Sequence, residues 1–246
     1  SNSIQTNIEN NFLDEFATLH REPDFLLREE LRELEKYHAI LMVLSTGGHS
    51  SQEISKLASI PERNVHYYVG QLQDLKYVSR RYPLTARRPA AREVRFVLDD
   101  PLLRFWFRFV YPNMSYISQM GPHRSYQDHI CPEIDSYFGS CFERLCREAL
   151  PFLYEKEGVG SSFEIGEYWD REVQIDVVGS RKDGCVDLGE CRWGRLRSPR
   201  TIGEELREKA RRYPNPEGAT IHFRVFTRAR IPSGQAAEGL RHHCLE

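Results

Sequence analysis

Glu172-Val-Gln-Ile-Asp-Val-Val178, Gly179-Ser-Arg-Lys-Asp-Gly184 and Cys185-Val-Asp-Leu-Gly-Glu-Cys-Arg-Trp193 decide the fold of the C-terminal half. Two β-rich runs flank a connection ending in Asp-Gly, a pair that closes hairpins because both residues tolerate positive φ. Phe163-Glu-Ile-Gly-Glu-Tyr168 adds an extended run before them. A helix is expected from about Thr201 to Arg212, and a strand from about Ala219 to Thr227. Upstream, Phe138, Phe142, Leu145, Cys146 and Leu150 recur at helical spacing after Ile134. The order helix, three strands, helix, strand predicts an α/β domain on a mixed sheet.

Side chains alternate along a strand, so Glu190 and Arg192 share one face of the third strand. The same period puts Asp176 opposite Val173, Ile175 and Val177 on the second. An acid on one strand then meets an acid on its neighbour. Two such carboxylates repel unless a proton, an Arg or a divalent cation compensates, and hard oxygen donors suit Mg²⁺ or Mn²⁺. An ion-paired surface hairpin is the alternative reading of Asp176, Glu190 and Arg192.

The N-terminal half reads differently. Ile8, Phe12, Phe16 and Leu19, and then Leu26 to Leu34, predict amphipathic helices. Tyr37 to Leu44 is a buried helix stopped at Gly47-Gly48. Ser50 or Ser51 caps the next helix, and Pro61 opens another whose inward face is Val65, Val69, Leu72 and Leu75. Two extended segments, Tyr77 to Arg81 and Glu93 to Leu98, follow around a Pro- and Arg-bearing loop. Three helices and a hairpin in that order are the layout of a winged helix-turn-helix.

Lys and Arg number 34 against 36 Asp and Glu, so the net charge of -2 gives no global sign of a nucleic-acid partner. A local one exists. Between Lys76 and Arg95 stand seven basic residues, Arg80, Arg81, Arg87, Arg88 and Arg92 among them, against Glu93 alone. A basic wing beside a candidate recognition helix that turns Arg63, Asn64, Tyr67 and Gln71 outward is what binding to duplex DNA requires. A winged helix used only for packing or dimerisation is the competing reading.

After the wing, Asp100 caps a helix that Pro101 begins, and Leu102, Leu103, Phe105, Trp106, Phe107, Phe109 and Tyr111 surround it. This aromatic density predicts a buried element between the two parts of the chain. The expected divisions are a helical junction at 1–33, the winged helix at 34–99, connecting helices at 100–130 and the α/β domain at 131–246. The six cysteines include no CxxC pair, and the first residues lack a secretory profile, so a cytoplasmic setting with free thiols is expected. No apolar run reaches the roughly 18 residues of a spanning helix.

Asp176 followed by Glu190-Cys191-Arg192 resembles the PD-(D/E)XK nuclease core of restriction-endonuclease-like domains. That resemblance implies that Asp176, Glu190 and the Cys191 carbonyl hold the metal, that Glu143 on the preceding helix adds an acid, and that position 192 carries a catalytic Lys. Arg stands there instead. A guanidinium stays protonated and cannot act as a general base, although it can hold a phosphate.

A wider resemblance covers nearly the whole chain. Leu27-Arg-Glu-Glu-Leu31, Tyr37-His-Ala-Ile-Leu41, Asp100 to Phe109, Gly139-Ser-Cys-Phe-Glu143, Gln174-Ile-Asp176 and Gly189-Glu-Cys-Arg-Trp193 look like the C-terminal half of the prokaryotic archaeal-type ATPases. The resemblance implies a winged helix followed by a nuclease-like domain, with a P-loop ATPase domain as partner in cis or in trans. This chain has no Gly-x-x-x-x-Gly-Lys-Ser/Thr run and is not expected to hydrolyse ATP. The expected function is metal-dependent phosphodiester hydrolysis on DNA, with a non-catalytic binding module that regulates an ATPase as the alternative. Arg195, Arg197 and Arg200 are further candidates for tracking the backbone.

Overall fold

The structure, a computed structural model, describes residues 3–85, 90, 93–194, 199–230 and 239–244. The chain is α+β and divides into two units, one of residues 1–81 and 94–133, the other of residues 82–93 and 134–246.

The first unit is helical. Helices α1 (Ile4–Ile8), α2 (Thr18–Glu30) and α3 (Leu34–Ser45) lead into α4 (Ser51–Ala58) and α5 (Glu62–Asp74). Sequence places these boundaries by local chemistry. The Ser50 hydroxyl accepts from the Glu53 amide, and the Glu53 carboxylate accepts from the Ser50 amide at 2.7 Å, so α4 opens on a capping box. Pro61 starts α5, which buries Val65, Tyr68, Val69 and Leu72. Strands β1 (Val78–Arg81) and β2 (Arg95–Leu98) pair antiparallel, and His49 bridges to Phe96. The result is the helix, helix, helix, hairpin layout expected of a winged helix-turn-helix.

Asp100 caps α6 (Pro101–Phe105), which runs on through a π-helical turn, Trp106–Val110. Trp106, Phe107, Phe109 and Val110 are buried, and the Trp106 indole donates to the His20 carbonyl at 2.8 Å. The aromatic helix is therefore a core element of the first unit itself. Helix α7 (Met114–Ser125) follows.

In the second unit, α8 (Ile134–Lys156) precedes β3 (Phe163–Trp169), β4 (Gln174–Arg181), β5 (Cys185–Arg192), α9 (Pro199–Arg212), β6 (Thr220–Thr227) and β7 (Leu240–Cys244). The sheet order is β3-β4-β5-β6-β7, antiparallel across the first three strands and parallel across the last three. The sheet is mixed, as expected, with β7 as an addition. One face packs Ile175, Val178 and Leu188 against Leu206 and Ala210 of α9 and Tyr213 just after it. The other packs Val177, Cys191 and Phe226 against Phe142, Cys146, Leu150 and Tyr154 of α8. A side chain on Gly179 would collide with the Tyr154 hydroxyl, which instead donates to Asp187 at 2.7 Å.

The basic loop holds a surprise. Residues 82–93 group with the second unit, where the Leu84 amide donates to the Glu167 carbonyl at 2.8 Å and the Tyr213 hydroxyl donates to the Leu84 carbonyl at 3.1 Å. No helix among the described residues is long and apolar enough to cross a membrane.

Candidate functional site

Helix α5 turns Arg63, Asn64, Tyr67 and Gln71 outward, all of them exposed, because its inward stripe is used up by Val65, Tyr68, Val69 and Leu72. On the hairpin, Arg80 is exposed with its guanidinium 5.6 Å from the Phe96 ring centroid, while Arg81 is tied to Asp99 at 2.8 Å. The expected contacts Arg87, Arg88 and Arg92 lie outside the described residues, as do Arg195 and Arg197. Arg200 is exposed and paired with Glu204 at 2.9 Å.

The chemistry-bearing cluster lies in the second unit, where β4 and β5 part. Their ladder runs as far as Val177 opposite Gly189. Beyond that pair the Asp176 carboxylate takes the place of a backbone acceptor, receiving the Cys191 amide at 2.9 Å. Strict alternation fails here. Ile175 and Val178 both face α9 while Val177 faces α8, so the expected pattern of Val173, Ile175 and Val177 on one side does not hold at Asp176. A strand that slips beside its partner frees a side chain to replace a ladder bond.

Glu190 and Arg192 do share a face, as the period of two requires. Arg192 Nη1 lies 2.5 Å from Glu190 Oε1, and its Nη2 lies 3.0 Å from Glu205 of α9. Glu190 is almost wholly buried, and its second oxygen meets Lys209 Nζ at 2.6 Å. Lys209 was not among the residues read from the sequence. Its only signal there is the four-residue spacing from Glu205 on an amphipathic helix, which says nothing about which strand residue it reaches.

Glu143 and Asp176 differ from Glu190 in having no cation bonded to them among the described residues. Burial, followed by the negative charge of Asp176, pushes the Glu143 carboxyl up to about 7. Burial and then Glu190 push Asp176 up to about 6, although the Cys191 amide pulls the other way. Arg147 answers part of this charge, donating to the Asp176 carbonyl at 2.7 Å. It also lies 3.8 Å from Glu167, at the irregularity where β3 slips one residue against β4. Glu167, a second acid absent from the sequence reading, contributes to the field at Glu143.

Hard oxygen donors in this state fit Mg²⁺ or Mn²⁺ by their chemistry. Glu143 has no hydrogen bond or ion pair among the described residues, and a divalent cation would offset the burial and repulsion that raise Glu143 and Asp176. Among the described residues no three His, Cys, Asp or Glu form a ready cage. Mg²⁺ typically uses one or two carboxylates with waters and substrate oxygens. Glu190 joins such a set only by exchanging an ion pair. The Cys191 carbonyl already accepts from Arg192 Nη1 at 3.2 Å, and the buried Cys191 thiol is pushed up by burial and by Cys146.

Beside this cluster Trp193 sits between Phe138 and Phe142, with Arg228 stacked 4.8 Å from its ring centroid. Its indole nitrogen is buried without a hydrogen-bond partner among the described residues.

The family described as archaeal and bacterial proteins of unknown function (DUF234) matches residues 106–203, a segment that contains Glu143, Asp176, Glu190 and Arg192. The uncharacterized protein MJECL04 of Methanocaldococcus jannaschii is 26% identical over 197 residues, which cover 78% of this chain and 44% of that protein. The chain thus spans less than half the length of this curated relative. Two solved structures overlap it loosely. BpsR of Bordetella bronchiseptica, whose DNA binding is regulated by 6-hydroxynicotinic acid, has 14% identity and a TM-score of 0.28, over 57% of this chain and 92% of that one. NMB1585, a MarR family regulator from Neisseria meningitidis, has 13% identity and a TM-score of 0.26, over 56% and 86%.

Proposed function

We propose that the second unit is a PD-(D/E)XK-like phosphodiester hydrolase that uses Mg²⁺ or Mn²⁺, and that the first unit holds duplex DNA through α5 and the basic hairpin. One observation supports the reading: Glu143 and Asp176, which have no bonded cation among the described residues, lie in each other's field and in that of Glu190, which Arg192 and Lys209 hold from two sides. Asp176 and Glu143 would hold the ion, with Glu190 and the Cys191 carbonyl able to join them. The metal, when bound, lowers the pKa of a coordinated water and polarises the phosphate. The chain's own residues do the rest. Arg192, fixed between Glu190 and Glu205, offers a rigid guanidinium to a phosphate oxygen. Arg147 keeps the Asp176 backbone in place.

Nicking of supercoiled plasmid with Mn²⁺, compared with a chelator control and with Asp176→Ala, tests the reading. Wild type is expected to nick only with metal, and Asp176→Ala is expected to be inactive while still folded. Equal products with chelator sink it. The second reading, a non-catalytic module that binds DNA and regulates a P-loop ATPase in cis or in trans, is favoured by the paired state of Glu190, both of whose oxygens already have cations.

A further inference from the structure

The expected lysine is missing from position 192, yet an amine reaches the same carboxylate from another element. Helix α9 lays Leu206 and Ala210 on the sheet, with Tyr213 just past its end, and so carries Lys209 along the rim with only a quarter of its side chain exposed. There its Nζ meets Glu190 Oε2 at 2.6 Å. The two cations on Glu190 are not equivalent. Arg192 is spread between Glu190 and Glu205 and is thereby locked. Lys209 has Glu190 as its one bonded partner among the described residues, at the end of a flexible stem that an ammonium can swing without breaking a second bond.

We propose that Lys209 is the positioning residue of this site: it orients and neutralises Glu190, and it yields Oε2 when a divalent cation arrives. The assignment rests on the metal-assisted hydrolysis proposed above. In that reaction the bond from water oxygen to phosphorus forms as the bond from phosphorus to the leaving nucleoside oxygen breaks. The water proton passes to solvent and the leaving oxygen takes one from solvent. Lys209 stays protonated throughout, and no further reactant is needed.

The test measures Mn²⁺ affinity by electron paramagnetic resonance and plasmid nicking in parallel, on wild type, Lys209→Met, Lys209→Arg and the double variant Arg192→Lys/Lys209→Met. Removing a competing cation from Oε2 is expected to tighten Mn²⁺ binding about tenfold in Lys209→Met. The same change is expected to lower kcat about 100-fold or more with little effect on KM, because Glu190 loses the partner that orients it. The double variant, which gives up the Arg192 clamp as well as the amine of α9, is expected to lose at least as much rate. Lys209→Arg keeps the charge and guards against misfolding of the Met variant. Its forked guanidinium is harder to displace, so Mn²⁺ binding is expected to weaken. Unchanged Mn²⁺ affinity in the folded Lys209 variants overturns the assignment. Wild type that binds Mn²⁺ but never nicks, with affinity shifted as described, sinks the hydrolase reading and leaves the role of Lys209 standing. Wild type that binds no Mn²⁺ removes both.

Discussion

Glu143 is a carboxyl kept neutral to about pH 7 by burial and by Asp176. A group whose folded pKa is raised binds its proton more tightly when folded, so its contribution to stability is complete below the unfolded value. That contribution is lost as pH rises through the folded value. For Glu143 and Asp176 together the loss runs from about pH 4 to about pH 7. Glu143→Gln cannot ionise and is expected to flatten the upper part of this fall by about 1–2 kcal/mol, since a tenfold difference in proton affinity is worth about 1.4 kcal/mol. Urea denaturation at pH 5 and pH 8 measures it, and a slope identical to wild type would show that Glu143 is solvated. At Arg192 the informative change is Arg192→Lys. It gives up the second bond to Glu205 and the bidentate clamp, so the nicking rate is expected to fall, and a gain in a plasmid-nicking assay would mean the site lacked an amine instead.

Elements carry two further expectations. The helix that begins at Pro101 owes its burial to rings on nearly every side, and Trp106 has no exposed surface. Trp106→Ala is expected to cost about 3–5 kcal/mol, the range for deleting a buried large aromatic. The denaturation midpoint of the first unit reports it, and a loss below about 1 kcal/mol would mean that the surrounding rings collapse into the space. Helix α5 is different: its exposed Arg63, Asn64, Tyr67 and Gln71 contribute little to packing and are free to meet DNA. If Arg63 neutralises a phosphate, Arg63→Ala lowers the slope of log affinity against log salt by about one. Titrations of duplex DNA at several salt concentrations decide this, and an unchanged slope removes Arg63 from the footprint.

At the scale of the whole molecule, binding and chemistry are assigned to different units, and so they should separate. Asp176→Ala alters a carboxylate of the second unit that packs little apolar surface, and is expected to abolish nicking while leaving duplex affinity within about twofold, since the phosphate contacts of α5 and the hairpin set that affinity. Binding and cleavage measured on the same preparation test the division. Parallel loss of both would place the DNA contacts on the second unit. The grouping of residues 82–93 with that unit gives this outcome a structural route.

Local chemistry was legible. Ser50 or Ser51 announces the start of α4, Asp100-Pro101 that of α6, and Asp183-Gly184 the β4 to β5 turn, because a cap or a turn is satisfied within a few residues. The company of Glu190 and Arg192 followed from the strand period alone. What the sequence could not state is which distant residues join them. Lys209 and Glu205 reach β5 only because α9 docks by its apolar stripe, and Glu167 enters the field opposite the bulge in β4. Alternation breaks at Asp176 because β4 bulges there, with Val177 and Asp176 opposite the single Glu167 of β3. β7 eluded the reading since Leu240-Arg-His-His-Cys244 has no apolar alternation and owes its pairing to β6. Periodicity is a property of one element and is written into its residues. The meeting of side chains from several elements is set by how those elements pack, so only the tertiary structure decided the site's full set of charges.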